Sequence, residues 1–302
     1  MKSLNDIAIK AKALGKKTRV AVAVAEDSNT LGALARAANE GFVHPILIGS
    51  KERIKSLPET ALLPRDGYQI IDIADHETAT KEAVRLVKSG EADVLMKGLV
   101  GTDKFLKEVL NKATGLLPPK AVMSYTCALE LPKYHKLLLI SDTAVLPYPD
   151  LAQKVAMINY SVKMAKALDI TMPKVALISA TEKVSEAMPN TIDYALISKM
   201  AQRGQIKGCV VDGPLDVFLA CDPQSLAIKG VDSPIAGSAD ILIFPNLETA
   251  NAFYKGLMLF AQGELAGLIQ GTSKPVIVMS RSESENSKYY CIALSCLMTE
   301  GR

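Results

Sequence analysis

Short apolar runs of strand length, each followed by a segment of helical period, recur along most of this chain and restrict it to one broad class of fold. The first is residues 19–25, RVAVAVA, a run rich in β-branched side chains. Before it, Leu4, Ile7, Ala8, Ala11 and Leu14 share one helical face over residues 3–16. Ser28-Asn29-Thr30 is suited to capping a helix over residues 31–40, which Gly41 would end. Strands are then expected at 44–48, 69–73 and 92–96, with helical segments at 50–56, 77–88 and 103–110. A second series places strands at 137–140, 174–178, 208–211, 240–244 and 275–279, and helices at 151–168, 192–203 and 249–260. Most of these strands are unbroken apolar runs rather than alternating ones, the pattern of strands buried on both faces of a parallel sheet. Repeated strand–helix units over this length predict an α/β fold with crossover connections.

At 302 residues the chain exceeds what one hydrophobic core usually serves, so two α/β domains with mainly parallel sheets are expected. The bend Leu146-Pro147-Tyr148-Pro149 marks the neighbourhood of the crossing. The expected domains are residues 1–135 with 279–302, and residues 136–278, with the site in the cleft between two lobes. Trp is absent and aromatics make up 5%, so the core must be aliphatic. The net charge of +3, with no long run of Lys or Arg, argues against nucleic-acid binding. The cysteines Cys127, Cys209, Cys221, Cys291 and Cys296 are odd in number and lack metal-site spacing. They read as small core thiols of a cytoplasmic protein. None of His44, His76 and His135 is beside a Cys in sequence. No apolar run approaches membrane-spanning length.

In an open parallel sheet, ligands gather beyond the carboxyl ends of strands, where helix N-termini also point. Reading the residues after each strand therefore yields candidates. Residues 275–279 run into Ser280-Arg281, a hydroxyl beside a permanent guanidinium, suited to an anion or a developing negative charge. The plain alternative is a helix cap and a solvated surface charge. Lys97-Gly98 followed by Gly101-Thr102 is the next anion signal. Its glycines let backbone N–H groups approach a ligand, and Thr102 or Asp103 opens a helix with its positive end toward the site. Lys107 lies one turn further on and could face the same space. The alternative there is a lysine reaching solvent above an ordinary turn. Glu26 to Thr30 follow the first strand, and Ser141-Asp142-Thr143 follow residues 137–140. Asn246, as readily an N-cap as a ligand contact, and Asn251 flank the start of the helix at 249–260. Asp142 is either a base or an Asx-turn residue, and Asp212-Gly213-Pro214 is expected to turn.

No G-x-G-x-x-G follows the first strand and no G-x-x-x-x-G-K-[ST] loop occurs, so dinucleotide and P-loop binding are unsupported. H-E-x-x-H, clustered metal-type carboxylates and G-x-S-x-G are also missing.

Four separated segments carry a resemblance: residues 93–110 (DVLMKGLVGTDKFLKEVL), 199–215 (KMAQRGQIKGCVVDGPL), 240–254 (DILIFPNLETANAFY) and 271–281 (GTSKPVIVMSR). In this order they resemble the phosphate acetyl/butyryltransferase family, and residues 93–110 and 199–215, with the short length of the chain, resemble its butyryl branch more than its acetyl branch. The resemblance implies exchange of a short-chain acyl group between CoA and phosphate, acyl-CoA + phosphate = acyl phosphate + CoA. It also implies two domains of the isocitrate/isopropylmalate dehydrogenase type, an interdomain active cleft and homo-oligomers. CoA would be a substrate, with no resident cofactor and no metal. By resemblance Ser280 and Arg281 are catalytic, and Lys107 stands where the acetyl branch has arginine. Lysine keeps the charge and loses the bidentate fork. The acetyl branch has a carboxylate seven residues beyond its serine, where this chain has Ser287; Glu283 and Glu285 are nearby substitutes, of which Glu283 is preferred as base. Asn29 replaces an arginine common in the acetyl branch. Lys97, Gly98, Gly101, Thr102, Lys107, Asn246, Asn251, Gly271 and Thr272 are the candidate phosphate and CoA contacts.

The chemistry needs an anion site, an oxyanion donor and help for the thiol proton. Direct transfer in a ternary complex is expected, because no Ser–His or Cys–His pair is evident for a covalent route. Rival readings are a phosphate acetyltransferase, a metal- and nicotinamide-dependent dehydrogenase of the same two-lobed fold, and a CoA- or acyl-phosphate-binding protein without turnover.

Overall fold

A computed structural model describes residues 1–279 and 283–300. In chain order it has α1 (Leu4–Ala13), β1 (Thr18–Ala23), α2 (Ser28–Asn39), β2 (Val43–Gly49), α3 (Lys51–Ser56), β3 (Gln69–Asp72), α4 (His76–Ser89), β4 (Val94–Lys97) and α5 (Thr102–Val109). Next come β5 (Ser124–Glu130), β6 (Leu138–Ser141), α6 (Leu151–Ala167), β7 (Lys174–Ile178), α7 (Pro189–Gln202), β8 (Val210–Leu215), α8 (Val217–Cys221) and α9 (Pro223–Lys229). The chain finishes with β9 (Ile241–Ile243), α10 (Leu247–Phe260), β10 (Glu264–Gln270), β11 (Val276–Ile277) and α11 (Glu285–Glu300).

Two compact units result, residues 5–123 with 265–302 and residues 1–4 with 124–264. The divisions expected at 135/136 and 278/279 fall elsewhere because two strands were not foreseen. β5 pairs antiparallel with β6 and belongs with it. β10 pairs antiparallel with β11 and so joins the unit that holds β11. Neither presents an apolar run: β5 opens Ser-Tyr-Thr, and β10 begins with Glu264 and carries Gly267 inside it.

In the first unit the strand order is β3-β2-β1-β4-β11-β10, parallel except at β10. Val20, Ala21, Val22 and Ala23 are wholly inaccessible, so both faces of the central strand are covered. This explains why β1 reads as a continuous apolar run. α11 packs on α2, and α4 packs on β1. The N-cap of α2 is Asp27, whose carboxylate accepts the Thr30 N–H, so Ser28-Asn29-Thr30 form the first turn instead of preceding it. At the amino ends of β1 and β4, the Arg19 guanidinium forks onto Asp93 at 3.0 Å and 2.8 Å, and its backbone N–H bonds the same carboxylate. Burial pushes the Asp93 carboxyl up, but these bonds from Arg19 outweigh it and hold the group below its usual range.

The second unit has the order β5-β6-β9-β7-β8, parallel except at β5. Asp212-Gly213-Pro214, expected as a turn, lies inside β8, which begins at Val210 rather than 208. The β7–β8 register shifts between Ala176 and Ile178, and Gly213 there has φ +154°. A Cβ on Gly213 would stand 2.6 Å from the Leu177 Cβ, so the irregularity needs glycine. α6 starts with a reciprocal capping box between Asp150 and Gln153. α10 is unusual, since of its 14 largely apolar residues only Ala250 is buried.

Candidate active site

Within the first unit, parallel pairing aligns the ends of three adjacent strands: Ala23 faces Lys97, and Met96 faces Ile277. Loop 24–27, loop 98–101 and the end of β11 therefore lie at one edge of the sheet, the carboxyl edge where ligands of such sheets sit. Ser280 and Arg281, the foremost sequence candidates, lie outside the described residues.

Val24 follows β1 with φ +59° and no solvent exposure. A buried β-branched residue in that region is a backbone outlier of the kind that collects at functional sites. Its carbonyl accepts the N–H groups of both Glu26 and Leu99 at 2.8 Å, while the Gly98 N–H bonds Ala23 O at 2.9 Å. Loop 98–101 is thus laced directly onto the end of β1. Gly98 is obligatory there, because a Cβ would lie 2.2 Å from Val24 O and 2.9 Å from Ala23 O. Sequence reading gave this glycine a ligand-approach role; its first duty is backbone-to-backbone approach.

Lys97 is only 6% exposed, so it does not reach out to solvent. Its ammonium donates to Gly98 O at 3.1 Å and Val100 O at 3.3 Å, beneath the loop it supports. Gly101 is the N-cap of α5, which starts at Thr102 without a side-chain cap. The first-turn amides of α5 therefore face outward with no side-chain oxygen on them, beside an exposed Thr102 and a buried ammonium. Such a set can hold a tetrahedral anion. The Asp103 carboxylate leans toward Gly101, and a side chain at that position would have to push it aside.

Lys107 is exposed and turns toward α4, where it adds to the hydrogen bond from Lys81 that keeps the Glu77 carboxyl below its usual range. Along α4 and α5 runs a hollow of about 640 Å³ whose lining includes Lys81, paired with Glu77, Arg85, paired with Glu82 and Glu91, Lys88, whose ammonium donates to Gly115 O, and Glu108.

The start of α11 contributes one residue that sequence reading did not single out, Lys288. Lys288 is 3% exposed, and its ammonium lies 3.3 Å from the Asp27 carboxylate and 3.5 Å from the Thr30 hydroxyl. It ties α11 to the loop after β1. Ser287 is fully buried, and its N–H bonds the Ser284 hydroxyl at 2.9 Å. Glu283 is partly exposed, whereas the Glu285 carboxylate packs over Gly32 of α2. Glu26, also buried, accepts the Ser50 N–H at 2.8 Å and sits 3.2 Å from Arg53 and 3.7 Å from His76. The signal for Glu26 was its place after β1; for Lys288 none existed, because a lysine inside a helical pattern reads as surface.

Gly271 and Thr272 are not brought to this edge. They form the turn between β10 and β11, and Leu95 N–H bonds Pro275 O, so that turn lies at the amino end of β4. The Thr272 hydroxyl is spent on Lys274 O at 2.7 Å, and Gly271 supplies φ +85°.

The second unit gathers its own set at the carboxyl ends of β6, β7 and β9. Asn246 caps α10, accepting Thr249 N–H at 2.9 Å, and Asn251 donates to Thr143 O at 2.9 Å. Asp142 is 2% exposed and accepts four backbone N–H groups, from Tyr125, Ala144, Val145 and Leu146. Burial pushes its carboxyl up to about 6 against the lowering effect of those donors. This is a loop-holding carboxylate, the Asx-type alternative raised from the sequence. Ser179, at the end of β7, accepts from the Asn190 amide at 3.2 Å, a pair that reading beyond residue 178 would have found. Among the described residues no group of three or more His, Cys, Asp or Glu is placed to hold a metal ion, and no helix is long and apolar enough to cross a membrane.

The sequence model of the phosphate acetyl/butaryl transferase family matches residues 4–85 and 77–296. The phosphate butyryltransferase of Clostridium beijerinckii is 44% identical over 280 residues, covering 93% of this chain and 92% of that protein. The phosphate acetyltransferase of Thermotoga maritima is 41% identical over 285 residues, covering 94% and 96%. Among solved structures, a branched-chain phosphotransacylase from Enterococcus faecalis superimposes with a TM-score of 0.83 at 28% identity, covering 94% of this chain and all of that one.

Proposed function

This chain belongs to the phosphate acetyl/butaryl transferase family, and from that premise we propose that it exchanges a short-chain acyl group, butyryl foremost, between CoA and inorganic phosphate. A phosphate oxygen attacks the thioester carbonyl, the new C–O bond replaces the C–S bond, and the departing sulfur regains a proton as free CoA. The reverse direction returns the acyl group to the thiolate. The observation that carries this reading is the loop after β4, with a buried ammonium at Lys97 under a helix that begins at Gly101 without a side-chain cap. Those amides, with Lys97 and Thr102, are suited to phosphate.

In this reading Arg281 shares the phosphate charge, Ser280 hydrogen-bonds the sulfur or the developing oxyanion, and Glu283 takes the thiol proton. Asn246 and Asn251 serve chiefly to fix the start of α10, and Gly271-Thr272 to form a turn. The protein works without a resident cofactor, in the cytoplasm, as a homo-oligomer, by direct transfer in a ternary complex. Measuring thiol release from acetyl-, propionyl-, butyryl- and isobutyryl-CoA with phosphate tests it. Phosphate-dependent release, fastest with butyryl-CoA, is expected. Fastest release with acetyl-CoA moves the assignment to the acetyl side, which the 41% identical relative makes the second reading. Binding of CoA without any release removes the catalytic reading, and an acyl-enzyme isolated on Ser280 or a Cys removes direct transfer.

A further inference from the structure

A glutamate in the last turn of a charged helix ordinarily stands in water, but Glu108 of α5 is 6% exposed and lines the hollow of about 640 Å³ along α4 and α5. Among the described residues its side chain accepts no hydrogen bond, and a buried carboxylate left so is costly. The Lys81 ammonium feels its charge, yet hydrogen-bonds Glu77 at 2.6 Å instead. Lys88, in the last turn of α4, presents the opposite case. Its ammonium donates to the neutral Gly115 O at 2.7 Å and forms no ion pair among the described residues. One carboxylate and one ammonium thus line the same hollow, both unmatched and beyond ion-pair reach of each other. Ile73, Val84 and Ala113 add apolar lining.

We infer that this hollow is a binding site for a small zwitterion, an aliphatic α-amino acid, separate from the anion site at Gly101. The ligand's ammonium meets Glu108, its carboxylate meets Lys88, and its side chain lies against Ile73 and Val84. A simple anion would have Glu108 against it, and a simple amine would have Lys88 against it. A metal ion would find one free carboxylate, not the several oxygens it requires, and among the described residues no metal-type cluster forms. The volume falls within the roughly 300–1,000 Å³ of small-molecule pockets. Gly101 precedes the first turn of α5 and Glu108 is in its last, so the two sites occupy opposite ends of one helix. The hollow keeps its unmatched charges whether or not acyl transfer is the reaction.

Titration calorimetry and hydrogen exchange on the full chain test it with three probes: L-leucine, 4-methylpentanoate, which lacks the ammonium, and 3-methylbutylamine, which lacks the carboxylate. L-leucine should bind at millimolar concentration or below and slow exchange at residues 78–89 and 104–115, while neither single-charge analogue protects those segments. Glu108→Gln and Lys88→Met should each weaken L-leucine at least ~10-fold, the scale of one lost charge-assisted hydrogen bond. Glu108→Gln keeps the shape of the side chain, and thiol release by both variants without L-leucine should match the unmodified protein. Exchange in the unmodified protein needs no variant and decides the matter if either variant folds poorly. Absence of L-leucine binding overturns the inference. So does binding that survives both substitutions, or equal protection of these segments by a single-charge analogue.

Discussion

Replacing Gly98 by alanine puts one methyl group where two strand-end carbonyls already stand. The added Cβ would be 2.2 Å from Val24 O, against the 3.4 Å at which ordinary contact begins, so loop and strand must part by about 1.2 Å. Neither side can yield by rotating a side chain, because both are backbone. The parting stretches the Gly98–Ala23 and Leu99–Val24 hydrogen bonds, now 2.9 Å and 2.8 Å. Two such bonds at about 0.5–1.5 kcal/mol each, with overpacking of about 1–3 kcal/mol, give a loss of roughly 2–6 kcal/mol. At about 2–4 °C per kcal/mol, Tm should fall by roughly 4–24 °C. Moving the loop by an ångström also displaces Lys97 and the first amides of α5, for which a loss of about 10²-fold in kcat/KM is the scale. Calorimetry and thiol release measure the two effects. Gly90→Ala is the matched control: Gly90 has φ +82° with nothing within 4 Å, so it should cost about 1 kcal/mol and leave kcat/KM unchanged. A Gly98→Ala enzyme with wild-type Tm and activity would refute the account of this loop.

Lys288→Met strands Asp27 beside a buried methyl group. We expect roughly 1–3 kcal/mol of destabilisation, and a double-mutant cycle with Asp27→Asn should show a coupling above about 0.5 kcal/mol; strict additivity would dissolve the pair. Asp142→Asn offers one oxygen where two served four N–H groups, which should cost about 2–4 kcal/mol. The folded carboxyl binds its proton more tightly than the unfolded one, so its contribution is present below pH ~4 and lost as pH rises through about 6. The Tm gap between wild type and Asp142→Asn should therefore narrow between pH ~4 and ~7, and a gap that widens contradicts the raised value. Arg281→Ala should lower kcat/KM more than ~10-fold while Tm holds, and near-normal turnover would remove that residue from the site.

Where strands are continuous apolar runs, the sequence read well: β1, β2, β4, β7 and β9 fall within a few residues of expectation because burial on both faces leaves no other pattern. β5 and β10 escaped because each mixes polar residues or glycine with apolar ones and pairs antiparallel, where one rule about apolar runs no longer holds. At the site, position after a strand correctly marked the Lys97–Thr102 loop as sitting on the carboxyl edge. It could not show that Lys97 turns under its own loop, since that depends on the outlying backbone of Val24 and the contact at Gly98. Gly271-Thr272 became candidates through the family resemblance alone. Only the strand register shows the pair at the opposite end of β4.

The discontinuity of the first unit bears on how the protein is made. Its sheet needs β11 beside β4, and its α2 needs α11, yet those pieces are translated after the whole of residues 124–264. Residues 124–264, uninterrupted, leave the ribosome before them. During synthesis the amino-terminal half must wait, with one flank of β4 bare, for β11 and α11 to emerge. Premature termination between residue 264 and β11 would release a chain with one half entire and the other permanently unsealed, a ready target for chaperones and proteases.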